Sequence, residues 1–195
     1  MIYLVRHGQT AFNAERRLQG HVDSPLTEQG RAQAVRFGET LRGLTGPDAG
    51  WRIVASPLGR ARATAEAIRD VLGWGEIELE PRLIEVSWGD WDGCLRSELE
   101  ARHPNAFGQS GWEFRTPVGE SYESVQGRMT GWLAGLPPEP ERRIIAVSHG
   151  AASRVLRGVY ARLTREAAVV QPVPQDAIYR LSGGGIERID CEAVG

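Results

Sequence analysis

Apolar residues along the chain fall into two patterns, continuous short runs and longer segments in which they recur every three or four positions. Three short runs, 1–5, 52–56 and 143–148, predict strands: the first is apolar almost throughout, as a strand buried on both faces is, and the other two have apolar residues between an Arg and a Ser. Each run leads into a short polar loop, and helical periodicity follows. Alternating strands and helices predict a mainly parallel sheet with helices on both faces, an α/β fold.

The periodic segments predict where the helices begin. Thr27 is the expected N-cap of one helix, and a second follows the loop after 52–56 and places Ala61, Ala65 and Ile68 on one apolar face. Further helices are predicted from Ser121, after the third strand and, as a short amphipathic piece, over 95–103. The segments 177–181 and 186–190, joined by a Ser-Gly-Gly-Gly turn, predict a hairpin. Residues 88–118, rich in Gly, Trp and Pro, are the least regular part and are expected to form a lid or rim.

Length and composition fit one ordinary globular domain over 1–195. The chain has 195 residues, 41% of them hydrophobic and 25% charged, and a formal net charge of −2. No basic excess points to nucleic acid or to an anionic membrane, and no apolar run is long enough to span one. The start of the chain becomes polar at Arg6, which is too early for a signal peptide, so a cytoplasmic location is expected. Cys94 and Cys191 are expected to be free thiols.

Ionisable residues stand directly after the predicted strands. Arg6 and His7 follow the first, Arg60 lies just beyond the second, and His149 with Gly150 follows the third. Parallel strands bring their carboxyl ends to one sheet edge, where ligands bind, so these side chains are expected to converge. Arginines and histidines together form a cationic site suited to phosphate, and glycine allows the backbone to approach the anion.

A neutral imidazole can act as a nucleophile toward phosphorus, with arginines stabilising the equatorial oxygens. The leaving oxygen then needs a proton from a carboxylic acid, and Glu85 is the candidate because it stands alone among apolar residues. Each residue has a simpler alternative: His7 as a buried hydrogen-bonded histidine, Arg60 as a solvated one, Glu85 as an ordinary paired carboxylate and His149 as a residue beside a helix cap. The repeated His-Gly arrangement favours the catalytic interpretation. The remaining histidines, His21 and His103, are expected at the surface or rim.

Other chemistries lack their motifs. The sequence has no GxSxG, GxxxxGK[ST], GxGxxG or HExxH pattern, and no clustering of carboxylates with a histidine pair at metal-ligand spacing. Neither a metal nor a cofactor is therefore expected.

The motifs as a set resemble the histidine phosphatase superfamily, also called the phosphoglycerate mutase-like family. The matching segments are RHGQT from Arg6, Asn13, Gln19-Gly20, DSPLTEQGRAQA from Asp23, SPLGRARATAEAI from Ser56, LIEVSWGDWDG from Leu83, GESYESV from Gly119 and VSHGAASRVL from Val147. The resemblance implies a three-layer α/β/α sandwich with a mixed sheet and no required metal.

The resemblance also implies roles for individual residues. His7 would be the phosphorylated nucleophile, Glu85 the proton donor and His149 a catalytic partner. Residues that would hold the phosphoryl group are Arg6, Asn13, Gln19, Arg60, His149 and Gly150. The loop Pro174-Gln175-Asp176 departs from the Pro-Asn pair of many relatives.

A phosphatase acting on a small phosphomonoester is expected rather than a mutase. Mutases resembling this chain carry an insertion and follow the glutamate with Arg-His-Tyr-Gly, whereas here Val86-Ser87-Trp88-Gly89 follows Glu85. A mutase and a non-catalytic phospho-ligand binding module remain as alternatives, and homo-oligomerisation stays open.

The lid has aromatic residues that either contact an apolar leaving group or form the lid's own core: Trp88, Trp91, Trp112 and Phe114. It also has arginines that are available to a substrate carboxylate: Arg96, Arg102 and Arg115.

Overall fold

The computed structural model describes residues 1–47 and 50–191; the predicted domain 1–195 also includes 48–49 and 192–195, which lie outside them. The strands are β1 (Ile2–Arg6), β2 (Arg52–Ala55), β3 (Ile77–Leu79), β4 (Ile144–Ser148), β5 (Ala177–Ser182) and β6 (Gly185–Asp190). The helices are α1 (Ala11–Ala14), α2 (Glu28–Thr45), α3 (Gly59–Leu72), α4 (Arg96–Arg102), α5 (Tyr122–Ala134), α6 (Gly150–Tyr160) and α7 (Arg165–Val169).

The strands of the described residues form one six-stranded sheet in the order β3-β2-β4-β1-β5-β6. The pairs β3-β2, β2-β4 and β4-β1 are parallel, whereas β5 joins β1 antiparallel and β6 extends the hairpin. The expected mixed, mainly parallel sheet is therefore confirmed. The edge strand β3 was not predicted, and the helices 11–14 and 165–169 were not predicted either.

Alternate residues of each central strand enter two separate cores. Ile2 and Leu4 of β1 belong to a core with residues of α5 and α6, whereas Tyr3 and Val5 belong to a core with residues of α2 and α3. Strands with both faces covered in this way carry the continuous apolar runs seen in the sequence. The three-layer α/β/α sandwich is confirmed.

The predicted helix starts agree with the caps observed. Thr27 accepts from the Gly30 amide, and Ser121 accepts from the Ser124 amide, as N-caps of α2 and α5. Among the described residues no helix has both the length and the apolar character needed to cross a membrane. Cys94 and Cys191 are both free.

Candidate active site

The carboxyl ends of β1 and β4 form the centre of the candidate site. The two strands pair in parallel from Ile2↔Ile144 to Arg6↔Ser148, so His7 and His149 occupy the next position of the same register. Their rings lie 5.1 Å apart between centroids. The connection from β1 to β2 contains α2, which packs on one face of the sheet, whereas the connection from β4 to β5 contains α6, which packs on the other face. The histidines therefore stand at the point where the direction of winding reverses, the usual place of a ligand crevice in such sheets.

His7 is held as a buried, neutral imidazole. Its side chain is 2% exposed, and its Nδ1 lies 2.8 Å from the Gly8 carbonyl oxygen. Burial, followed by the charges of Arg60 and Arg6, holds the pKa of His7 well below its usual range. Because a carbonyl oxygen only accepts, Nδ1 carries the hydrogen and Nε2 keeps its lone pair.

The loop after β1 packs directly against the start of α2. A Cβ atom at Gly8 would overlap the Gly30 carbonyl, and one at Gly30 would lie 2.8 Å from the backbone nitrogen and carbonyl carbon of Gln9. The Gly8 amide also donates to Thr64 Oγ1 of α3 at 3.1 Å. Glycine at both positions is therefore required for the close approach that fixes the backbone next to His7.

Arg6 and Arg60 bring two guanidinium groups to the histidines. Arg60 is 2% exposed and donates to the carbonyl oxygens of Val22 at 3.0 Å and Gly20 at 2.8 Å, and to Asp23 Oδ1 at 3.0 Å. Arg6 donates to the Val173 carbonyl at 2.5 Å. Burial lowers the pKa of Arg6 to about 10, so both groups stay charged at neutral pH.

His149 contacts the end of β2 through its ring. Its Nε2 lies 2.7 Å from Ser56 Oγ, which in turn accepts from the Leu58 amide at 3.3 Å. Ser56 is fully buried, and its hydroxyl has no other acceptor among the bonds of the described residues, so it donates to Nε2, which leaves the hydrogen of the neutral ring on Nδ1. Burial, then the charge of Arg60, holds the pKa of His149 well below its usual range.

Three buried nitrogens around this cluster have no hydrogen-bond partner. They are Arg6 Nε, Arg60 Nε and His149 Nδ1, and the other unpaired buried side-chain atoms in the described residues belong to Trp88, Glu113 and Thr116. An unpaired buried donor is costly unless a ligand completes it. Three such donors, two of them on arginines, fit an oxyanion with several acceptor oxygens.

Glu85 lies at the N-terminus of α6, beside Gly150. Its Oε1 accepts from the amides of Val86 and Ala152, both at 2.9 Å, and its Oε2 accepts from the Ala151 amide at 3.3 Å. A Cβ atom at Gly150 would lie 3.5 Å from Arg6 Nε and 3.7 Å from Glu85 Oε2. The structure thus brings a carboxylate next to the cationic cluster.

Asn13 of α1 and Gln19, in the loop that follows this helix, both bond Thr10, three residues after His7. Asn13 Oδ1 accepts from the Thr10 amide at 3.2 Å, and Gln19 Nε2 donates to Thr10 Oγ1 at 2.6 Å. Gln175, which the sequence did not identify, donates from Nε2 to the His7 carbonyl at 3.0 Å and to Asn13 Oδ1 at 3.3 Å. The loop that departs from its relatives therefore still contacts the backbone of His7.

The lid 88–118 has a small core of its own. Leu18, Trp91 and Leu99 are buried together, and Trp88 and Trp112 pack against them. Phe114 instead enters the core that holds α5 and α6. Most of the aromatic residues discussed for the lid are thus used in its own packing.

The arginines of the lid are engaged within it. Arg96 bonds Glu100 at 2.7 Å, Arg102 lies 3.9 Å from Glu98, and Arg115 donates to Gln109.

The two other histidines are both exposed but differ in their surroundings. The His103 ring lies beside that of Trp91, with centroids 5.2 Å apart. His21 Nε2 lies 2.9 Å from the Glu85 carbonyl oxygen, so His21 belongs to the rim of the site.

No group of three or more His, Cys, Asp or Glu residues that could hold a metal ion occurs in ranges 1–47 and 50–191. The positive charge beside the two histidines comes from the guanidinium groups of Arg6 and Arg60.

Comparisons with known proteins agree on one family. The model of the histidine phosphatase superfamily, branch 1, matches residues 2–184. A probable phosphoglycerate mutase GpmB of Cronobacter sakazakii is 40% identical over 205 aligned positions, covering 98% of this chain and 85% of that protein. Its counterpart from Enterobacter sp. is 37% identical with the same coverage.

Two solved structures have the same fold. Bacillus stearothermophilus YhfR superposes with a TM-score of 0.79 at 31% identity, covering 97% of this chain and 95% of that one. A mycobacterial glucosyl-3-phosphoglycerate phosphatase solved with VO3 gives 0.78 at 31% identity, covering 97% and 96%. With a family match over nearly the whole chain and the paired His-Gly strand ends in place, this chain belongs to the histidine phosphatase superfamily, branch 1.

Proposed function

We propose that the chain is a metal-independent phosphomonoester hydrolase that acts through a phosphohistidine on a small phosphorylated metabolite. The observation that carries the proposal is the neutral His7, with a free Nε2 lone pair, facing a second histidine and two arginines whose buried donors are unpaired. A neutral imidazole is the nucleophilic form, and the arginines supply the positive charge that a metal ion supplies elsewhere.

The first step forms the covalent intermediate. The Nε2 lone pair of His7 attacks phosphorus while the bond from phosphorus to the leaving oxygen breaks. The electron pair of that bond stays on the leaving oxygen, which takes a proton from Glu85 and departs as an alcohol. Arg6, Arg60 and His149 donate to the equatorial oxygens, where negative charge is concentrated.

The second step returns the enzyme to its starting state. A water molecule attacks phosphorus and gives a proton to the Glu85 carboxylate, while the phosphorus–nitrogen bond breaks and its electron pair returns to His7. The net reaction consumes one phosphomonoester and one water and yields an alcohol and inorganic phosphate.

A phosphoglycerate mutase is the second candidate, because the curated relatives described above carry that name. A phosphoglycerate presents a carboxylate beside its phosphate and calls for an additional cation near the site. Val86, directly after Glu85, is fully buried in the core, and Arg154 near the site is paired with Glu113 at 2.7 Å. Together with the engagement of the lid arginines, these contacts favour hydrolysis.

The test is phosphate release by the purified protein in excess chelator. The panel contains p-nitrophenyl phosphate, phosphoserine, phosphoglycerates, sugar phosphates, nucleotides and a ribazole phosphate, and vanadate is expected to inhibit. His7→Ala should abolish release, whereas His103→Ala, which removes an exposed imidazole, should retain it. Interconversion of phosphoglycerates with a bisphosphate primer and without net phosphate release would establish the mutase instead.

A further inference from the structure

Arg128 of α5 uses its guanidinium group to hold the backbone on which Glu85 is mounted. Nη1 donates to the carbonyl oxygens of Arg82 at 2.6 Å and Ile84 at 2.7 Å, and Nη2 donates to that of Glu85 at 3.3 Å. The Glu85 carbonyl also lies 2.9 Å from His21 Nε2. Pro81–Leu83 forms a single 3₁₀ turn, and the Ser148 hydroxyl of β4 donates to the Leu83 carbonyl oxygen at 2.9 Å, so the bonds from Arg128 secure the other three carbonyl oxygens of segment 82–85.

Glu120 orients the same guanidinium group. Its two carboxylate oxygens accept from Arg128 Nε at 2.9 Å and Nη2 at 3.1 Å, and the side chains are only 14% and 17% exposed. The Glu120 amide donates to the Ser87 carbonyl at 2.8 Å, on the other side of Glu85. The Arg128–Glu120 pair thus contacts the chain both before and after the carboxylate.

The Arg128–Glu120 pair is largely buried and also bonds backbone carbonyl oxygens, which distinguishes it from an exposed surface ion pair. Glu123, on the same helix, binds Arg165 at 2.8 Å with exposed fractions of 67% and 39%, a geometry that contributes little to stability. Within the described residues the hydrogen bonds of Arg128 go to Glu120 and to segment 82–85, while its charge, which a lysine would retain, is one of the charges that lower the pKa of His149. Its position therefore points to a role that acts through Glu85.

We propose that Arg128, oriented by Glu120, is a positioning residue that aims the Glu85 carboxyl at the leaving oxygen and so determines which leaving groups can be expelled. The inference rests on the proposed hydrolase function. A weakly basic leaving group such as p-nitrophenolate departs without a proton, whereas phenolates and alkoxides need one. A displaced Glu85 should therefore slow only the second kind.

The experiment compares kcat/KM for p-nitrophenyl phosphate and phenyl phosphate in Arg128→Lys, which keeps the charge and loses the fork geometry. We expect a loss of about tenfold or more on phenyl phosphate and less than about threefold on p-nitrophenyl phosphate, since misplacing a general acid forfeits part of its contribution. Glu120→Gln leaves Arg128 in place but removes one charge of its partner. It should also lower kcat/KM more on phenyl phosphate than on p-nitrophenyl phosphate, by a smaller factor than Arg128→Lys. Glu123→Gln, the matched control, should leave the ratio unchanged.

A double-mutant cycle with Glu85→Gln separates positioning from general structural damage. Once the carboxyl is gone, Arg128→Lys should no longer change the ratio of the two substrates. Equal losses on both substrates, or an undiminished effect in the Glu85→Gln background, would overturn the positioning role while leaving the hydrolase proposal intact. A wild-type chain that releases phosphate from neither substrate would overturn both.

Discussion

Two buried neutral histidines should make the stability of this chain fall as the pH drops. His7 and His149 are 2% and 0% exposed, and burial with the charge of Arg60 holds both pKa values well below 6.5. Below pH 6.5 the unfolded chain binds protons at these positions and the folded chain does not. The free energy of unfolding therefore decreases with decreasing pH until the folded-state pKa values are reached.

The size of the effect follows from the unfolded pKa alone while the folded protein remains neutral at both rings. At about pH 5.5 protonation of the unfolded state stabilises it by about 1.4 kcal/mol for each histidine, relative to its neutral form. The pair therefore accounts for a loss of at most about 2.8 kcal/mol. Such a loss is large beside the roughly 5–15 kcal/mol by which ordinary domains are stable.

Urea unfolding at about pH 7.5 and about pH 5.5, in phosphate-free buffer, measures the effect. In His149→Asn the fall in unfolding free energy between the two conditions should be smaller than in the wild type by about 1.4 kcal/mol, because one titration has been removed. His103→Asn serves as a control for the loss of an exposed imidazole. An unchanged fall in His149→Asn would refute the assignment of His149 as a buried neutral ring.

Two further predictions concern the supports of the site. Gly30→Ala should lower the free energy of unfolding in urea by about 1–3 kcal/mol and reduce kcat/KM, because the new Cβ overlaps the Gln9 backbone. Gly43→Ala on the same helix faces open space and should not lower the free energy of unfolding. Ser56→Ala removes the partner of His149 Nε2, so titration calorimetry should show vanadate bound about tenfold more weakly, and unchanged affinity would contradict that role.

The parts of this fold that could be read from the sequence are those with continuous or periodic burial. The apolar runs of β1 and β4 indicated strands covered on both faces, and parallel strands end at one sheet edge, so His7 and His149 were expected there; the structure adds that the two strands are neighbours. By contrast, β3 is a three-residue edge strand in which Ile77 is half-buried while Glu78 and Leu79 are exposed. So short and exposed a strand leaves no pattern.

The residues that sequence reasoning missed act through side-chain bonds to distant backbone. Gln175 reaches the His7 carbonyl across 168 positions, and Arg128 reaches the Glu85 carbonyl across 43. Neither contact has a periodic signature, and the polar residue at each position fits a solvated surface equally well. The GESYESV segment indicated the region of Glu120 but not its partner Arg128.

Hydrolysis through a phosphohistidine requires that His7 becomes phosphorylated during turnover, and this intermediate can be trapped. The protein is mixed with p-nitrophenyl phosphate in excess chelator, quenched under alkaline conditions within milliseconds to seconds, digested and analysed by mass spectrometry. An acid-labile phosphoryl group is expected on the peptide that contains His7, and none is expected in His7→Ala. Phosphate release by the wild type with no phosphorylated His7, or release retained in His7→Ala, would contradict this mechanism.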